Sequence, residues 1–128
     1  MSHLTYTNYP GMGQLLSNKN KYSQAVRIGD KIECSGQGGW NPTIGTFPPS
    51  VPHQIAQAFS NIDLSLRTAG GKGWEQVYKV TSYHVGFDEE AHEAMVRGFE
   101  EWMPGHRPIW PELGVAKLGA EVVAHVPE

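Results

Sequence analysis

Residues 50–71 read SVPHQIAQAFSNIDLSLRTAGG, and this stretch decides the architecture. Ser50 can cap a helix, and Pro52 is tolerated in its first turn because the amides there have no helical partner. Ile55, Phe59, Ile62, Leu66 and Ala69 then recur at helical spacing on one face. Gly70-Gly71 supplies the stop.

Downstream, Gln76 to Val85 is rich in Val, Tyr and Thr and reads as a strand. Val77 and Val85 share one face with Lys79, while Tyr78 and Val80 take the other. Apolar groups on both faces suit a strand covered by helices on one side and by a partner subunit on the other. Asp88 caps a second helix, with Glu89 and Glu90 well placed against its dipole. Ala91, Met95, Phe99 and Trp102 or Met103 form its apolar stripe, and Pro104-Gly105 ends it. Two strands follow, near Leu113–Lys117 and Ala120–Val126.

Upstream, Gln24–Ile28 and Lys31–Gln37 are strands joined by a tight turn at Gly29-Asp30. Gly38–Pro49, with three glycines and three prolines, is a loop. The first twenty residues are predicted to be irregular apart from one short strand around Leu4–Tyr6. The order βββ-α-β-α-ββ predicts one two-layer α+β domain over residues 1–128, with both helices on one face of the sheet. The other face calls for cover, and self-association is the simplest source.

Composition narrows the function classes. At 39% apolar and 18% charged the 128-residue chain can pack a core, so disorder is excluded. A net charge of −3 without any Lys/Arg block argues against nucleic acid. No apolar run approaches the roughly 20 residues that cross a bilayer, so no membrane partner is expected. MSHLTYTNYPGMG has neither the basic start nor the apolar core of a secretory signal, and Cys34 has no second cysteine to pair with. Both features point to the cytosol.

Arg107 is the charge of most interest. It sits in Pro104-Gly105-His106-Arg107-Pro108, on a backbone stiffened by prolines. A guanidinium on such a loop suits bidentate capture of a carboxylate, or else makes a weak surface salt bridge. Glu121, inside an otherwise apolar strand, either lines a cleft and holds a water or lies at a solvated edge. Tyr22 and the run Ser35-Gly36-Gln37-Gly38-Gly39 flank the hairpin strands. There a ligand could approach main-chain amides, or the glycines simply make a turn. Gly70-Gly71-Lys72-Gly73 lacks the ending of a phosphate loop. No two of the six histidines stand at the spacing of a helical zinc pair, so no metal is expected. Cys34, in mid-strand, reads as a small buried thiol.

Taken in order, Lys21-Tyr22-Ser23-Gln24-Ala25-Val26, Gly29-Asp30 and Cys34-Ser35-Gly36-Gln37 resemble the opening signature of the RidA (YjgF) family. Val77-Tyr78-Lys79-Val80-Thr81 resembles its central strand. Arg107, Gly114-Val115-Ala116 and a last strand bearing Glu121 resemble its closing segment. The resemblance implies a chorismate-mutase-like fold with a mixed sheet, in a homotrimer whose sheets form a barrel with three clefts between subunits. It also implies hydrolysis of small 2-imino acids, or their enamine tautomers, to 2-oxo acids and ammonia without a cofactor. By position, Arg107 would grip the carboxylate, Tyr22, Ser35 and the Gly36 backbone would line the cleft, and Glu121 would hold the attacking water. A non-catalytic carboxylate-binding trimer and an enzyme for a pathway-specific substrate are the alternatives. Two departures bear on the pocket. His106 and Pro108 replace the small residues usual around the arginine, with bulky Ile109 and Trp110 just after it. The run from Lys117 to Glu121 is also short, so Glu121 matches either of two alternating family glutamates.

Overall fold

The computed structural model describes residues 2–117 and 122–125. Strand β1 (Thr5–Thr7) pairs antiparallel with β2 (Ala25–Ile28), which turns through Gly29-Asp30 into β3 (Lys31–Cys34). Gly29 has φ 62°, the conformation that a tight turn demands of its glycine.

Between β1 and β2 lies a helix, α1 (Met12–Asn20), where the sequence reading leaves residues 1–20 irregular apart from one strand. Its signals are absent from the sequence for physical reasons. Gly11 precedes it without a side-chain cap, and Lys21 rather than glycine takes the left-handed position after it. Tertiary contacts hold it instead: the Met12 amide donates to Pro42 O at 2.7 Å, and Gly13 packs against the Tyr9 ring.

The predicted strand Lys31–Gln37 breaks at Ser35-Gly36, and its end becomes β4 (Gln37–Gly38) in a second sheet. That sheet has the order β4-β7-β5-β6, with β5 (Thr81–Val85), β6 (Glu112–Val115) and β7 (Val122–His125). It is mixed, as β5 and β6 run parallel while β7 is antiparallel to both its neighbours.

Helix α2 (Val51–Thr68) follows the loop, with the Ser50 hydroxyl accepting from the His53 amide at 3.3 Å. It ends as its glycines require: Gly70 has φ 95°, and the Gly71 amide returns to Leu66 O at 2.9 Å. Ile55, Phe59, Ile62 and Leu66 are buried, each worth about 1.5–3 kcal/mol by removal from water. Helix α3 (Glu89–Trp102) is capped by Asp88, whose Oδ1 accepts from the Ala91 amide at 2.9 Å. Its Ala91, Met95 and, just beyond its end, Met103 join the same core. No helix among the described residues is long and apolar enough to cross a membrane.

The strand predicted over Gln76–Val85 starts later. A 3-10 turn at Gly73–Gln76 buries Trp74, whose indole N–H donates to Phe59 O at 2.9 Å. Val77 and Val80 are both buried while Tyr78 is half exposed, so strand alternation does not hold before Thr81. From Thr81 it does: Ser82 and His84 face the helices, and Tyr83 and Val85 face away. Among the described residues no helix covers that second face, where Val85 and Leu113 are exposed; Tyr6 and Ile28 are exposed on the three-stranded sheet, on the side opposite buried Ala25 and Ile32.

A charge cluster ties α3 to the sheet edge. Glu112 receives His92 Nδ1 at 2.6 Å on one carboxylate oxygen and stands 3.5 Å from His84 Nε2 on the other. The hydrogen bond to Glu112 raises the His92 pKa above its ordinary 6.5, while burial lowers that of His84. A group whose pKa rises on folding adds stability that is fully present below its unfolded value and lost as pH climbs through the folded one. His92→Gln should therefore lower the denaturant midpoint most on the acid side of 6.5, with the gap to wild type closing as pH rises. Midpoints measured across that range check this, and a gap that widens with pH would contradict the assignment.

Candidate active site

The candidate residues fall in two places. Tyr22 and Ser35 come together: both line an open pocket of about 560 Å³ with Tyr6, Lys21, Ser23, Ala25, Val26, Glu33 and Cys34. Sheet pairing continues past β2 and β3, since the Ser35 amide donates to Gln24 O at 2.8 Å. The Ser35 hydroxyl donates to Ser23 O at 2.7 Å, which leaves its lone pairs for an incoming donor. Gly36 is the corner at which the chain leaves one sheet for the other, so it adjoins this pocket through Ser35. Cys34 is buried, as a mid-strand thiol should be, with Sγ 3.6 Å from Ser65 Oγ.

Sequence reading missed what holds that corner. Tyr9 donates to Gln37 Oε1 at 2.8 Å, and the Trp40 indole donates to the Tyr9 hydroxyl at 3.0 Å. Gln37 Nε2 in turn donates to Gln24 Oε1 at 2.7 Å and to Ser35 O at 3.1 Å. Asn61, on α2, donates to Gly38 O and Trp40 O. Burial pushes the Tyr9 phenol up to about 12, so it stays a neutral donor. Such a polar network, complete but for the buried Gln24 Nε2, fixes the backbone around Ser35 and Gly36. Its one trace in the sequence is that Gln24 and Gln37 stand at the outer ends of the two predicted hairpin strands.

Arg107 lies elsewhere in the chain. After α3 the backbone turns at Pro104-Gly105, and His106 Nε2 donates to Val77 O at 2.7 Å. Ile109 then donates from its amide to Tyr78 O at 2.9 Å and accepts from Val80 N at 3.0 Å. Arg107 is thus held between two anchors on a segment running parallel to residues 77–85, at the β6 edge of the sheet. His106 and Ile109 are those anchors. The guanidinium is exposed and has no ion pair or hydrogen bond with any described residue, so the surface salt bridge of the alternative reading is not formed among them. In strand order β7 and β5 separate this edge from β4, which continues from the Ser35 corner. One chain therefore sets Arg107 apart from Tyr22 and Ser35. Glu121 lies outside the described residues. Among the described residues no group of His, Cys, Asp and Glu is arranged to hold a metal ion.

Comparison with known proteins agrees with this architecture. The chain is 30% identical over 125 residues to the RutC family protein YjgH of Escherichia coli (strain K12), covering 94% of each. It also resembles a solved structure of YjgH, with a TM-score of 0.82 at 28% identity over 98% of this chain and 95% of that one. RidA from an Antarctic Psychrobacter superposes with a TM-score of 0.72 at 26% identity, over 83% and 84% of the two chains. The pattern of the endoribonuclease L-PSP family matches residues 12–125, and the chain belongs to that family, whose members include the YjgF and Rid proteins.

Proposed function

We propose that the protein is a homotrimer that hydrolyses 2-imino acids, or their enamine tautomers, to 2-oxo acids and ammonia in clefts between subunits. The observation that carries this reading is the separation of Arg107 from Tyr22 and Ser35 within one chain, each group accessible at its own place. A neighbouring copy brought against the uncovered sheet face would unite them. A barrel of three such sheets would also bury Ile28, Val85 and Leu113, which one chain leaves exposed.

In this reading Arg107 grips the substrate carboxylate in bidentate fashion. Tyr22, Ser35 and the Gly36 backbone line the opposite wall, and Glu121 holds the water. An imine carbon is electrophilic, most of all when its nitrogen is protonated, so water adds across C=N to give a carbinolamine. Transfer of one proton to nitrogen lets ammonia leave and the C=O bond form. Positioning is the main demand, so no cofactor is required. A ribonuclease reading, which the family description invites, finds no support in a chain of net charge −3 without a basic block.

The test is a coupled assay in which an amino acid oxidase or threonine dehydratase makes the imine in situ. Added protein should speed release of the 2-oxo acid. Folded protein that speeds no imine's hydrolysis would overturn the deaminase reading. If it still bound 2-oxo acids it would be a binding trimer, and if it did not, an enzyme for a pathway-specific substrate.

A further inference from the structure

The wall of the pocket beside Tyr22 is rich in electron-donating groups and fixed by the backbone. Tyr6 pairs with Val26 and Val26 with Glu33, so the three form one row across β1, β2 and β3. Residues paired across antiparallel strands project to the same face, about 4.5–5.5 Å apart from strand to strand. In this row that face is the one without helices. Ser35, two residues beyond Glu33, lies on the same face, and its hydroxyl proton is already given to Ser23 O. The pocket thus presents a carboxylate, a hydroxyl able only to accept, and the rings of Tyr6 and Tyr22.

Glu33 makes no ion pair with any described residue, including Lys31 two positions earlier on the same face. Lys21 lines the pocket too, but its charge sits on a flexible stem springing from the end of α1, so it can swing to water. The groups that cannot withdraw are those of the row.

We propose that Glu33, Ser35, Tyr6 and Tyr22 form a cation subsite, and that the molecule taken into this cleft carries a positively charged nitrogen. A primary ammonium or a guanidinium fits, held by a charge-assisted bond to Glu33 and by the faces of the two rings. Assigning that nitrogen to a substrate rests on the deaminase reading; the binding of a cation does not.

The experiment titrates the full-length protein with n-butylammonium and, separately, with butanoate, followed by NMR shifts of the protein. Wild type should bind n-butylammonium saturably, Glu33→Gln should weaken it about tenfold or more, and Arg107→Ala should not weaken it. Lys21→Gln should strengthen it by removing a like charge. Butanoate should lose binding in Arg107→Ala alone; failure of that arm counts against the deaminase reading and not against the cation subsite. Absence of n-butylammonium binding, or equal binding by wild type and a folded Glu33→Gln variant, would overturn the subsite.

Discussion

Phe59→Ala is expected to cost about 3–5 kcal/mol, the range for removing a large aromatic from a packed core. Phe59 is fully buried and makes two aromatic contacts, one of which leads on to a third. Its ring lies 4.8 Å from Trp74 in a tilted arrangement and 5.6 Å from Phe99 edge-on, while Phe99 meets Trp110 edge-on at 4.8 Å. Gly98 of α3 packs directly against the ring, so α2 and α3 approach closely at that point. Truncation would leave a void lined by the 3-10 turn and both helices, and none of these can close in without dragging its neighbours. Urea unfolding at one fixed protein concentration measures the loss, since an oligomer's midpoint depends on concentration. A loss below about 1 kcal/mol would mean that this junction is not the centre of the core.

Arg107→Ala is expected to lower kcat/KM for imine hydrolysis roughly a hundred- to ten-thousandfold, with the fold and assembly intact. Two charge-assisted hydrogen bonds to a carboxylate, at about 1.5–3 kcal/mol each, account for that range, since each 1.4 kcal/mol is a factor of ten. Stability should hardly change, because the guanidinium is exposed and without a partner among the described residues. Arg107→Lys keeps the charge but loses the fork, and should recover only part of the activity.

Much of the fold was legible before the structure because its strongest signals are local. Ser50, Asp88, Gly70 and Gly29 each do what their chemistry predicts, and both amphipathic helices bury their expected stripes. What escaped were features set by distant partners. Helix α1 has no capping residue and is held by Pro42 and Tyr9. Residues 73–76 leave the strand because Trp74 docks on Phe59 O, fifteen positions away in sequence. At the site, Arg107 stood out through its prolines, but the anchors that hold it, His106 to Val77 O and Ile109 to Tyr78 O, are long-range contacts that no spacing announces. The Tyr9-Gln37-Gln24 network is invisible to hydropathy for the same reason.

An active cleft is expected to take Arg107 from one subunit and Tyr22 and Ser35 from the next. Arg107→Ala and Tyr22→Ala, each first shown to be strongly impaired alone, would be mixed, dissociated and reassembled, with mixed oligomers verified by native mass. In a trimer built this way, every mixed assembly keeps one intact cleft of three. Random reassembly of equal amounts should therefore restore roughly a quarter of wild-type imine hydrolysis. If verified mixed oligomers show no gain over the separate variants, the composite cleft is contradicted, and with it the account of how this chain acts.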